Sequence, residues 1–151
     1  MTIELKINGR PRRLEIEPGD MLVDVLREAG YVEVKKGCDS GSCGVCTVLM
    51  NGDPILSCST LAAKADGQEL VTVKGIEKEA AEFADYLTAE GADQCGFCGP
   101  GFALAVYALM KENSSPSEEE IRHYLAGNLC RCSGYEGQLR AITKYVEAKN
   151  G

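Results

Sequence analysis

Residues 37–47 read Gly37-Cys38-Asp39-Ser40-Gly41-Ser42-Cys43-Gly44-Val45-Cys46-Thr47, and a fourth cysteine, Cys58, follows. The spacing C-x4-C-x2-C with a later Cys is that of a plant-type [2Fe–2S] centre. A two-iron cluster needs four thiolates in a protected pocket. Three of them come from one closely wrapped loop and the fourth reaches in from a neighbouring element. Gly37, Gly41 and Gly44 permit the positive φ angles and close approaches that such a loop requires. Backbone N–H groups in the loop can aim at the cluster sulfurs and favour the reduced, more negative state. A structural zinc site is the competing reading. Zinc usually takes two short C-x2–4-C knuckles, and here only Cys43 and Cys46 make one.

On either side of this loop the chain alternates. Ile3, Leu5 and Ile7 have the period of a half-buried strand, Asn8-Gly9 is a hairpin signal, and Leu14 and Ile16 return. Asp20 is placed to N-cap a short helix carrying Met21, Leu22, Val25 and Leu26, with Gly30 as its stop. Val45 to Met50 reads as a strand, Asn51-Gly52 as a second hairpin turn, Pro54 to Cys58 as the return and Leu70 to Val73 as a last strand. From residue 75 the period becomes helical. Ile76, Ala80, Phe83, Ala84 and Leu87 share one face, and Pro100 opens a second, almost wholly apolar helix over Phe102 to Met110. Ser115-Pro116-Ser117-Glu118 reads as an N-cap, a Pro at N1 and a capping-box Glu, ahead of a helix with Ile121 and Leu125 on one face. Leu139, Ile142 and Val146 stripe a fourth helix. The fold class is α+β, divided near Lys74-Gly75 into residues 1–74 and residues 75–151.

The helical half holds a second set, Cys95, Cys98, Cys130 and Cys132. C-x2-C followed much later by C-x-C is less specific, and zinc competes here. Each pair precedes a predicted helix, so two helix N-termini would converge on an anionic centre, which their dipoles favour. Arg131, between two of these cysteines, could tune the centre or simply be solvated. Lone His123 lies four residues after Glu119, which suggests an exposed ion pair rather than catalysis. Tyr135 reads as a packing residue.

Composition excludes other classes. Acidic residues outnumber basic ones 23 to 16, for a formal net charge of −7, which disfavours nucleic acid or an anionic membrane as the main partner. No apolar run approaches the roughly 18 residues of a membrane span. Met1 to Lys6 has no apolar h-region and no apolar stretch follows Arg12-Arg13, so no export signal and a cytoplasmic location are expected. In a reducing compartment eight cysteines point to metal before disulfides. With six Tyr, three Phe and no Trp, two small domains would be marginal on burial alone.

Three segments together carry a resemblance. They are Gly37 to Thr47 as quoted, Gln94-Cys-Gly-Phe-Cys-Gly-Pro-Gly101, and Gly127-Asn-Leu-Cys-Arg-Cys-Ser-Gly-Tyr135. In this order, and over essentially the whole chain, they resemble the signatures of the small iron–sulfur subunit of the molybdenum hydroxylases, the xanthine dehydrogenase family. The resemblance implies an N-terminal β-grasp plant-type ferredoxin domain followed by an all-α four-helix domain, with two [2Fe–2S] clusters. Cys38, Cys43, Cys46 and Cys58 would hold the first, and Cys95, Cys98, Cys130 and Cys132 the second. It also implies a large subunit with molybdopterin, expected in the cytosine dinucleotide form, and an FAD-binding subunit. Gln94 and Cys132 would lie against the pterin.

The implied function is electron relay between those two cofactors, with no substrate turnover by this chain alone. Xanthine or another purine is the expected substrate class, with aldehyde, carbon monoxide, nicotinate or aromatic acyl-CoA enzymes as alternatives. A stand-alone two-cluster ferredoxin and a zinc assembly module are the readings from other classes. Gly99 and Ser133 stand where the family usually has Thr, and Glu136-Gly137-Gln138 is less apolar than expected after the Tyr.

Overall fold

Two turns lay out the first half. In the computed structural model, which describes residues 1–151, Asn8 (φ +52°) and Gly9 (φ +76°) are both left-handed. This is the type I′ geometry, whose twist matches that of the strands it joins. The turn connects β1 (Thr2–Ile7) to β2 (Arg10–Glu15), with Ile7 opposite Arg10. Asn51-Gly52 repeats the device between β3 (Thr47–Met50) and β4 (Asp53–Leu56). β5 (Glu69–Val71) runs parallel to β1 and antiparallel to β3, giving the order β2-β1-β5-β3-β4. Parallel neighbours need a long crossover, and this one carries helix α1 (Leu22–Glu28) and the cysteine loop. The result is the β-grasp fold of a ferredoxin domain. Ile3, Leu5 and Ile7 pack with Leu22, Val23, Val25 and Leu26 in one core.

Local details differ from expectation for identifiable reasons. Met21, half out of the core, is the N-cap of α1. Asp20 is occupied elsewhere, its carboxylate accepting the Glu17 N–H at 2.8 Å. β3 begins at Thr47 because Val45 and Cys46 still belong to the cysteine loop. Cys58 lies in a single 3-10 turn, Ser57–Ser59, after β4 has ended. β5 stops at Val71, and Val73 already begins the 3-10 turn Val73–Ile76 that leads into the helices.

Four helices follow: α2 (Glu77–Ala89), α3 (Gly99–Glu112), α4 (Glu118–Tyr124) and α5 (Glu136–Asn150). Phe83 stacks 6.3 Å from Phe102 and meets Tyr145 edge-on at 5.5 Å, so three aromatics fill the centre of this core. The capping box at α4 is two residues later than expected. Ser117 Oγ accepts the Glu120 N–H and Glu120 accepts the Ser117 N–H. Ser115 is engaged instead by Asn113 Oδ1 and the Asn150 side chain. No His123–Glu119 pair forms; the i,i+4 pair of α4 is Arg122–Glu118 at 3.0 Å.

The strand half and the helical half share a buried seam in which α3 crosses β3 and Leu49, Ile76, Leu104 and Ala108 pack together. Full burial of a side chain such as Leu104 contributes about 1.5–3 kcal/mol. The backbones also touch. A Cβ on Gly101 would strike the Gly44 carbonyl, and a Cβ on Gly44 would strike the Gly127 carbonyl. Gly101→Ala therefore forces two backbones apart and is expected to cost about 1–3 kcal/mol, read as a lower unfolding midpoint by circular dichroism. Gly99→Ala, whose Cβ meets nothing, should stay within about 0.5 kcal/mol. Equal midpoints for the two variants would show that the seam is not close-packed.

Candidate metal centres

The loop at residues 37–46 is shaped by its own backbone bonds. Gly44 is left-handed at φ +77°, and its carbonyl accepts the Thr47 hydroxyl at 2.7 Å. A Cβ at Gly37 would come within 3.3 Å of Cys43 Sγ and 3.0 Å of the Phe97 ring, so this glycine is needed for close approach rather than for positive φ. The loop brings the thiol of Cys38 to Cys43, and that of Cys46 to Cys58. Backbone N–H groups converge on Cys38. Those of Cys43, then Ser42 and Ser40, together with the Cys43 thiol, bring its pKa down to about 5. Burial pushes Cys43 and Cys46 up, against N–H groups of Val45 and Gly37 on the one and of Cys58 on the other.

The second set is built from two turns and two helix starts. Cys98 is the N-cap residue of α3, and α5 begins at Glu136, just after Cys130 and Cys132. Across this long sequence separation the thiols again come together, Cys95 hydrogen-bonding to Cys132 and Cys98 to Cys130, with Cys95 and Cys130 also acting across the two pairs. Donors surround them. The Phe97 N–H points at Cys95 Sγ (3.5 Å), the Ser133 N–H and hydroxyl at Cys130 Sγ (3.5 and 3.3 Å), and Gln138 Nε2 at Cys98 Sγ (3.8 Å). The Phe97 N–H, more than any other group, lowers the pKa of Cys95. Burial raises that of Cys98 to about 11. At Cys130 burial is the largest single effect, but it is outweighed by the Ser133 hydroxyl and the N–H groups of Ser133 and Cys132, so the pKa falls. Cys132 is raised by its bond to the Cys95 thiol.

Each set draws its thiols from separated stretches of chain into reach of one another, as a two-iron cluster with four thiolate ligands requires. N–H and hydroxyl groups directed at sulfur match the needs of an anionic iron–sulfur core.

Sequence comparison agrees with this geometry. Residues 5–72 match the family described as 2Fe-2S iron-sulfur cluster binding domain, and residues 72–143 the family described as [2Fe-2S] binding domain. The chain is 46% identical, over 99% of its length and 96% of the relative's, to a xanthine dehydrogenase iron-sulfur-binding subunit of Escherichia coli O157:H7. It is 43% identical to a nicotinate dehydrogenase small FeS subunit of Eubacterium barkeri, over 97% of this chain and 94% of the other. This chain belongs to the [2Fe–2S] small-subunit family of the molybdenum hydroxylases. Its fold superimposes on quinoline 2-oxidoreductase from Pseudomonas putida 86 with a TM-score of 0.90 and 42% identity, covering 99% of this chain and 94% of that one. A second solved relative, aldehyde oxidoreductase from Desulfovibrio gigas, matches with a TM-score of 0.89 and 33% identity. It covers 100% of this subunit but only 17% of that longer chain.

The expected pterin-facing pair is brought together. Gln94 Nε2 donates to the Cys132 carbonyl at 3.1 Å, and both residues are exposed. Arg131 is exposed and has no hydrogen bond or ion pair within the subunit. Ser133 keeps the hydroxyl function on Cys130, and a side chain at Gly99 would meet nothing in the subunit itself. Three residues have roles that sequence reading missed. Gln138 is buried on the stripe of α5 and turned to Cys98. A polar residue in phase with Leu139, Ile142 and Val146 was the available signal. Asn128 is buried with its amide on the Gly44 carbonyl (3.4 Å), next to the Leu129 N–H on the Cys43 carbonyl (2.8 Å). Tyr135, at φ +73°, bends back so that its hydroxyl accepts the Cys130 N–H at 3.0 Å. Loss of that bond in Tyr135→Phe should cost about 1 kcal/mol locally. The expected result is release of the second cluster's iron to a chelator about fivefold faster. An unchanged rate would confine Tyr135 to packing.

Proposed function

We propose that this chain is the electron relay between a molybdopterin-binding large subunit and an FAD-binding subunit of a heteromeric molybdenum hydroxylase. Cys38, Cys43, Cys46 and Cys58 hold the N-terminal [2Fe–2S] cluster. Cys95, Cys98, Cys130 and Cys132 hold the C-terminal one. The observation that carries the assignment is the set of N–H, hydroxyl and amide donors directed at the sulfurs of Cys95, Cys98 and Cys130, in a chain whose two halves each match a [2Fe–2S] domain family. The clusters, when bound, supply the one-electron redox chemistry. The chain fixes their separation, keeps water from the buried sulfurs and sets the charge around them. Residues 1–74 act as the ferredoxin domain and 75–151 as the helical cluster domain, in keeping with the turn at Val73–Ile76.

The surface round the second set supports a subunit over a free carrier. Gln94, Cys95 and Cys132 are exposed, and Phe97, Leu129 and Tyr135 beside them are each more than 40% exposed. Exposed apolar side chains that flank the cysteines of the second set in sequence suit cover by the large subunit. Gln94 and Cys132 then face the pterin, taken to be the cytosine dinucleotide. A cytoplasmic, reducing setting belongs to the same reading and accords with eight unpaired thiols. No helix is long and apolar enough to cross a membrane. A nitrogen heteroaromatic is the substrate class, with a purine such as xanthine first. The named relatives at 46% and 43% identity act on xanthine and nicotinate.

The complex captured anaerobically through a tag on this chain should hold four irons per chain with one molybdenum and one FAD. Four irons without molybdenum would make the protein a free ferredoxin, and zinc in their place would remove both readings. Xanthine should bleach the captured complex; bleaching by nicotinate or an aldehyde alone would replace the purine while leaving the relay intact. Cys43→Ser should erase one of two paramagnetic signals of the reduced complex and spare the other. Cys132→Ser should impair electron entry from molybdenum more than the fold of the N-terminal domain. Equal damage to both would count against the pterin contact.

A further inference from the structure

Lys35 precedes the first cysteine loop, yet its ammonium belongs to the second. Nζ donates to the carbonyl oxygens of Gly96 (3.4 Å) and Phe97 (3.2 Å) and stands 4.8 Å from the centre of the Phe97 ring. Both carbonyls lie in the turn between Cys95 and Cys98. The Phe97 ring in turn rests against Gly37, the neighbour of Cys38. The side chain is half-buried. It makes no ion pair, whereas Lys36 beside it pairs with Asp24. Carbonyl dipoles and a π face, rather than a carboxylate, thus pin this lysine charge where the two cysteine loops meet.

We propose that Lys35 is a positioning residue for the electron, its fixed charge holding the C-terminal cluster at a higher potential than the loop alone would give. Reduction adds negative charge to a cluster, so a cation beside the Cys95–Cys98 turn favours the reduced form. The charge is attached to the N-terminal domain but acts on the other cluster, so it shifts the gap between the two potentials. The inference rests on the two-cluster reading given above.

The test is a redox titration of the captured complex followed by electron paramagnetic resonance. The signal that survives Cys43→Ser marks the C-terminal cluster. Lys35→Met keeps the aliphatic stem on Phe97 and removes the charge. It should lower the reduced-to-oxidised ratio of the C-terminal cluster about tenfold at fixed potential, about 59 mV for one electron, with a smaller change at the N-terminal cluster. Lys35→Arg should restore the ratio. A ratio within twofold of wild type in Lys35→Met, or a larger change at the N-terminal cluster, overturns the proposal. Should the Met variant lose iron, Lys35→Gln and Lys35→Arg are compared directly: the charged variant must have the higher potential, and equal potentials overturn the proposal. Wild-type complex with fewer than four irons or one signal would instead defeat the two-cluster reading, which keeps the two failures distinct.

Discussion

The approach of two backbones at Gly44 is the constraint on which the arrangement of both sites depends. Gly44 lies in the first cysteine loop, its carbonyl against Gly101 at the start of α3 and its own Cα against the Gly127 carbonyl. No side chain fits between them. The contact lets the Cys43 carbonyl reach the Leu129 N–H at 2.8 Å and the Asn128 amide reach Gly44. The first loop, the N-terminus of α3 and the segment leading to Cys130 therefore form one rigid piece. The distance between the two cysteine sets is fixed by peptide groups rather than by rotatable side chains.

The same chain must accept anionic centres while carrying a net charge of −7. It does so locally. N–H groups of Ser40, Ser42 and Cys43 face Cys38, those of Phe97 and Ser133 face Cys95 and Cys130, and hydroxyl or amide donors complete the second set. These are neutral donors, held by turns, and they neither pay the desolvation cost of a buried cation nor depend on ionic strength. Lys35 adds a charged group where the loops meet, and its carbonyl and ring partners leave its charge intact.

Much of this was legible before any coordinates. Cysteine spacing, the Asn8-Gly9 and Asn51-Gly52 turns and the strand and helix periods of the two halves are local signals, and the structure follows them. Errors arose where two local solutions competed. Ser115 and Ser117 each have a Glu three residues on, and only the tie of Ser115 to Asn150 decides for Ser117. Asp20 could cap α1 or close the preceding turn, and it closes the turn. The roles of Asn128 and Lys35 were not legible because each acts on a distant segment, and that of Tyr135 because it depends on a left-handed backbone that folds the ring back on Cys130; Gln138 alone left a sign, a polar residue on an apolar stripe. Lys35 reaches a turn some sixty positions away. Pair contacts of that separation have no periodicity to read.

The parallel pairing of β1 with β5 has a consequence for biosynthesis. Once Val71 has emerged, every strand of the ferredoxin sheet and all four cysteines of the first set are available, before any of the C-terminal helices has emerged. Chains fold as they are made, N-terminal units first. The flank of the first loop that Gly101 and Gly127 later cover stays bare through that interval. When the segment through Leu129 docks, that flank closes, so the surroundings of the first loop are completed by the last third of the chain to be made.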